Sequence, residues 1–159
     1  MTVLNFGFCA FTLRLMSQLK LEVNEQPSPE DFRVILDGVR TFNRDVTGNE
    51  RPRPVACFLR DDKDRIVGGV QGNFWGRSVH IDALWVDETC RGQGHGAALM
   101  KALEAYAAEH GYPLAYLETA SFQALPFYQG LGYSIFGELP EITKGHTLYF
   151  LQKELTTTE

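Results

Sequence analysis

The sequence predicts an α/β (α+β) fold, a mostly antiparallel sheet flanked by helices. Three observations point to it. Strand-like stretches follow one another closely over residues 55–86, a glycine-rich turn then opens an amphipathic helix, and two further strand-like stretches close the chain. The 159 residues, 44% hydrophobic and 22% charged, suffice for one buried core and fall short of two ordinary domains.

Along the chain, Leu19, Leu21 and Val23 alternate with Lys20, Glu22 and Asn24, the period-two pattern of a half-buried strand, and Pro27-Ser28-Pro29 ends it. Ser28 is suited to cap a helix with Pro29 at its first position. Phe32, Ile35, Leu36, Val39 and Phe42 then recur at helical spacing. Residues 45–54, rich in Asn, Gly, Pro and Arg, predict a loop. Strands are expected over 55–60, 66–75 and 78–86, and their short connections imply an antiparallel meander. After the glycine-rich turn, Leu99, Leu103, Tyr106 and Ala107 mark a helix that stops at His110-Gly111. A short buried strand (114–117), a helix (122–129) and two strands (133–136 and 148–152) complete the pattern.

Fifteen basic against twenty acidic residues give a net charge of −5, which argues against a nucleic-acid partner and favours amines or cationic small molecules. Cys9, Cys57 and Cys90 suggest neither a disulfide framework nor a zinc site, as expected of a cytoplasmic protein. His95, His110 and His146 have no metal-binding spacing, so no metal is expected. The apolar run over residues 1–13 lacks a preceding basic residue and is too short to span a bilayer, so no membrane association is expected. The expected organisation is an N-terminal extension over 1–15, a single domain over 16–155 and a frayed tail over 156–159.

The segment Arg91-Gly92-Gln93-Gly94-His95-Gly96 carries the chemistry. Its glycines let the backbone turn sharply and approach a ligand with no Cβ in the way. The helix that follows offers unpaired N–H groups and a positive dipole end, so the turn is an anion site. Arg91 adds a charge that favours a pyrophosphate. A Walker phosphate loop is excluded, because the segment lacks the required Lys followed by Ser or Thr. A dinucleotide fingerprint fits loosely through Gly92, Gly94 and Ala97, with Glu118 as the ribose-binding acid, but an antiparallel meander precedes the turn where that motif needs a parallel unit.

The stretch Val86 to Leu99 resembles motif A of the GNAT superfamily of N-acetyltransferases, with its Arg/Gln-x-x-Gly-x-Gly/Ala pattern. The stretch Ala124-Leu125-Pro126-Phe127-Tyr128-Gln129-Gly130-Leu131-Gly132-Tyr133 resembles the family's later helix-to-strand signature. The resemblance implies a central mixed, mostly antiparallel, splayed sheet and acetyl-CoA as cofactor. It implies that the backbone of Leu84, Trp85 and Val86 meets the pantetheine arm. The turn Arg91, Gly92, Gln93, Gly94, His95, Gly96 and Ala97 is then expected to hold the pyrophosphate, chiefly through backbone amides. Tyr128 matches the tyrosine beside the thioester sulfur, a general acid for the leaving thiolate. His80 and Asp82, on one strand face with Leu84, are the candidate base, alone or through a water, and Glu118 is a third candidate. Ser121 stands where family members often carry a cofactor-contacting asparagine, which puts that contact in doubt. Phe74, Trp75, Trp85 and Phe122 are candidate walls of the acceptor site, against core or rim packing.

The expected activity is transfer of acetyl to a small-molecule amine by direct attack in a ternary complex, with the protein a monomer or homodimer. A non-catalytic acyl-CoA-binding module and a protein or peptide acetyltransferase are the alternatives.

Overall fold

The computed structural model describes residues 19–48 and 51–156. The expected extension over 1–15 lies outside them, as do residues 157–159 of the expected tail. The described residues divide into two units.

In the first unit, α1 (Pro29–Thr47) starts where the sequence places it. The Ser28 side chain accepts from the Asp31 N–H, and the Asp31 carboxylate accepts from the Ser28 N–H, so two orphan donors of the first turn are satisfied reciprocally. These bonds hold the Asp31 carboxyl below the usual range. The helix runs three residues into the expected loop and stops at Gly48, whose left-handed φ of 67° returns its N–H to the Arg44 carbonyl. The strand expected over 19–24 is not formed. Alternation marks a face, but a strand exists only through its ladder, and this segment has no ladder partner among the described residues.

The second unit is a six-stranded sheet in the order β1-β2-β3-β4-β6-β5. Its strands are β1 (Arg53–Arg60), β2 (Ile66–Trp75), β3 (Ser78–Val86), β4 (Leu114–Ala120), β5 (Ser134–Thr143) and β6 (His146–Glu154). All neighbours are antiparallel except β3 and β4, which are joined in parallel through α2 (His95–Glu109). A short α3 (Leu125–Gly130) connects β4 to β5.

Leu99, Met100, Leu103 and Ala107 of α2 enter a core with Val70, Val79, Ile81, Ala115, Leu117 and Leu151 of the sheet. One charged group is buried with them. Glu104 accepts from the Tyr133 hydroxyl at 2.9 Å and from Lys153 Nζ at 2.5 Å, which ties α2 to the start of β5 and to β6. A buried carboxylate persists only when its lone pairs are matched in this way.

Two departures from regular pairing position the site. Gln71 pairs with Ala83 while Gly72 pairs with Ile81, so Asp82 is an extra residue bulged out of β3. Gly72 makes room for it, since a Cβ there would lie 2.0 Å from the His80 carbonyl oxygen. The second departure is that β3 and β4 pair only from Ser78–Leu114 to Ile81–Leu117. Beyond that point β3 stays with β2 as far as Val86 and β4 stays with β6 as far as Ala120, so the sheet splits.

Candidate active site

The split leaves an unpaired edge on β3 over 82–86 and another on β4 over 118–120. Between them lies a cleft of about 670 Å³, bordered by Asp82, Leu84 to Val86 and Arg91 on one side. Glu118, Gln123 and Tyr128 border the other. A second cavity of about 450 Å³ shares Leu84, Val86, Arg91 and Ala124 with it and continues to Gly92, Gly94, His95, Gly96 and Ala97. The two adjoin at these four residues, a channel from the split to the glycine-rich turn.

The turn is held by local chemistry. Asp87 caps a single 3₁₀ turn (Glu88–Cys90) by accepting from the Thr89 N–H and hydroxyl, bonds that hold its carboxyl below the usual range. Arg91 donates from Nε to the Val86 carbonyl at 2.9 Å, and its guanidinium lies 3.6 Å from Glu88. Gly92 and Gly94 then take left-handed φ values of 74° and 82°, and glycine alone adopts these without strain. The first helical bond of α2 runs from the Ala98 N–H to the Gly94 carbonyl, so the N–H groups of Gly92 to Ala97 have no acceptor among the described residues. Gly96 lets α2 approach Phe127 and Leu84, which a Cβ would meet at 3.5 and 3.9 Å.

At the point where β3 and β4 separate, His80 bridges them. Its Nδ1 lies 2.9 Å from Asp82 Oδ1 and its Nε2 lies 2.7 Å from Glu118 Oε2, while the ring stacks on Tyr116 at 4.5 Å. Asn73 donates to the other oxygen of Asp82 at 2.7 Å. Burial and the two nearby carboxylates raise the Tyr116 phenol above its ordinary range. Tyr128 on α3 is 9% exposed, packs edge-on to Phe127 and Tyr133, and borders the cleft. Burial raises its phenol too, so it stays protonated through neutral pH.

The residues singled out in the sequence are thus mostly brought together. His80, Asp82 and Glu118 form one hydrogen-bonded chain, and Leu84, Trp85, Val86, Arg91, the turn glycines, His95, Ala97 and Tyr128 border the channel. Leu84 does not share a face with His80, because the bulge at Asp82 reverses the alternation and turns Leu84 towards Gly96. Gln93 folds back on the Thr89 carbonyl and borders neither cavity. Ser121 borders neither as well, since its hydroxyl bonds His146 Nδ1 at 3.1 Å and accepts from the Thr147 N–H. Phe74 belongs to the core, stacked on Tyr112, and Phe122 meets His146 edge-on. Asn73 and Gln123 were missed by the sequence reading, and no motif marks either.

A sheet that opens between two parallel strands, in front of a helix start with free N–H groups, admits a long anionic ligand along its strand edges. That is the arrangement of an acyl-CoA-dependent transferase. The chain belongs to the acetyltransferase (GNAT) family, whose model matches residues 16–133. It is 34% identical over 135 residues to blasticidin-S acetyltransferase of Streptomyces morookaense, covering 84% of this chain and 93% of that protein. An acetyltransferase of Agrobacterium fabrum is 27% identical over 124 residues, covering 78% of this chain and 90% of its own. Among solved structures, an acetyltransferase from Bacillus cereus superposes with a TM-score of 0.75 at 31% identity, over 84% of this chain and 98% of that one. The protein is therefore an acetyl-CoA-dependent acetyltransferase with the mixed, mostly antiparallel sheet that the sequence predicts. No helix among the described residues is long and apolar enough to cross a membrane.

Proposed function

We propose that the chain is an N-acetyltransferase that moves the acetyl group of acetyl-CoA onto a primary amine of a small molecule, by direct attack with both substrates bound. The observation that carries it is the hydrogen-bonded chain Asp82–His80–Glu118 at the mouth of the split, on the same cleft as the buried phenol of Tyr128.

The channel suits acetyl-CoA. Six free N–H groups from Gly92 to Ala97, with Arg91 beside them, match a pyrophosphate. The unpaired β3 edge at Leu84, Trp85 and Val86 matches an arm bearing amides. Bound there, acetyl-CoA supplies an activated acyl group, and this chain's residues orient it and manage the protons.

An amine reaches the site largely as its ammonium and must lose a proton to attack. Asp82 and Glu118 border the cleft and attract that cation. Both nitrogens of His80 face carboxylates, so His80, Asp82 and Glu118 stand as one connected group at the cleft, and it takes up the proton that the amine releases, directly or through a water. Tyr128 holds a proton at neutral pH and gives it to the departing thiolate.

Likeness to blasticidin-S acetyltransferase over nearly the whole chain favours a small amine-bearing antibiotic as acceptor, and the net charge of −5 suits a cation. The test is release of free thiol from acetyl-CoA with blasticidin S, polyamines, aminoglycosides, amino acids and peptides. Turnover is expected with blasticidin S or another small amine. Turnover confined to peptides, or tight acetyl-CoA binding with no turnover on any amine, overturns the proposal.

A further inference from the structure

We infer that Gln123 is a cofactor-positioning residue, whose side-chain NH₂ donates to an amide carbonyl of the pantetheine arm. The orientation of its carboxamide follows from its neighbours. The Ala120 N–H, which can only donate, faces one end of the amide at 2.7 Å, and the Thr119 hydroxyl lies 3.4 Å from the same atom. That atom is therefore the oxygen, and the nitrogen is the end left over. Neither of its two N–H groups has an acceptor among the described residues, and Gln123 borders the cleft with Thr119, Ala124 and Tyr128.

The surroundings make this donor the complement of what β3 offers. Across the cleft, the β3 edge over 82–86 presents backbone groups to one side of an inserted arm. On the β4 side three neighbouring groups are already engaged: the Ala120 N–H with Gln123 itself, the Ser121 N–H with the Thr147 carbonyl, and the Ser121 hydroxyl with His146. Pantetheine carries two amide carbonyls, and an acceptor moved from water into the cleft gives up hydrogen bonds that a donor there restores. Gln123 supplies one from a side chain pinned at its oxygen, so little rotamer freedom is lost on binding.

The inference rests on the cleft being the acetyl-CoA site, and the experiment separates the two. Gln123→Glu keeps an oxygen for Ala120 and Thr119, removes the donor and adds a negative charge. Gln123→Leu removes both. Dissociation constants for coenzyme A and for S-acetylpantetheine, which has no phosphate to repel a glutamate, are measured by calorimetry alongside thermal melting. Gln123→Glu is expected to melt with the wild type and to bind both ligands about 3- to 10-fold more weakly, the loss of one neutral hydrogen bond. Gln123→Leu is expected to bind equally weakly and to melt lower. Wild-type affinity for S-acetylpantetheine in Gln123→Glu overturns the inference alone. Failure of the wild-type protein to bind coenzyme A overturns the cleft reading with it.

Discussion

Asp82 and Gly72 are coupled through a single backbone oxygen. Because a Cβ at Gly72 would lie 2.0 Å from the His80 carbonyl, Gly72→Ala forces β3 to move where it carries both His80 and the bulge. Overpacking of this kind costs about 1–3 kcal/mol or more. In a chain of this size that lowers the melting temperature by roughly 2–10 °C. Acetyl transfer should fall further than stability does, since the residue displaced is the one that links Asp82 to Glu118, and a thermal melt beside a rate assay checks both. Tyr128 makes the complementary case, in which the fold tolerates the change and the chemistry does not. Tyr128→Phe keeps the ring that packs on Phe127 and Tyr133, so coenzyme A affinity and melting should hold while kcat drops about 10²–10⁴-fold, the worth of a positioned acid. The proposed acid role needs the protonated phenol, and burial raises the pH at which it is lost. The Tyr128-dependent part of the rate should therefore persist up to, and fall only above, the pH of about 10 where a free tyrosine ionises.

Among the elements, α2 is fastened to the sheet by apolar packing and by one buried carboxylate. Glu104→Ala strands Lys153 and the Tyr133 hydroxyl without their partner and should cost about 3–5 kcal/mol in chemical denaturation. Replacing Glu104 with Leu and Lys153 with Met together should cost much less, because no unpaired charge is left behind. The meander from 55 to 86 was legible in the sequence because its tight connections allow hardly any pairing but the antiparallel one, and its strands form where expected. The same alternation at 19–24 carried no such information, since nothing nearby in sequence names a ladder partner. The bulge at Asp82 was illegible for a related reason: it is a property of register between β2 and β3, and it overturned the assumption that His80 and Leu84 share a face. The helix expected from 122 begins at 125, because Ser121 to Gln123 form a turn closed by the Gln123 side chain. Local motifs drew attention to the glycine-rich turn and to Tyr128, which border the cavities, whereas contacts made across long stretches of chain, such as Ser121 with His146, had no signal to follow.

Taken whole, every neighbouring strand pair of the sheet unit stays together apart from local register shifts, except where β3 and β4 split, and binding there should be read out by the entire molecule. The β1–β2–β3 side and the β4–β6–β5 side are joined by four residue pairs, by α2 and by the core beneath them. A ligand that lies along the free edges and caps the N–H groups of Gly92 to Ala97 supplies partners not found among the described residues, so it binds the folded state and not the unfolded one. At one hundred times its dissociation constant such a ligand adds about 2.7 kcal/mol. For a chain of 159 residues this corresponds to a rise in melting temperature of roughly 5–10 °C with acetyl-CoA. Amide hydrogen exchange locates the effect. Protection should increase over residues 82–86 and 92–97, where free N–H groups acquire acceptors, and stay unchanged in the β5–β6 hairpin, whose residues border neither cavity. Equal protection of both regions would mean that the ligand acts through global stability alone, and protection absent from 92–97 would remove the pyrophosphate from the turn.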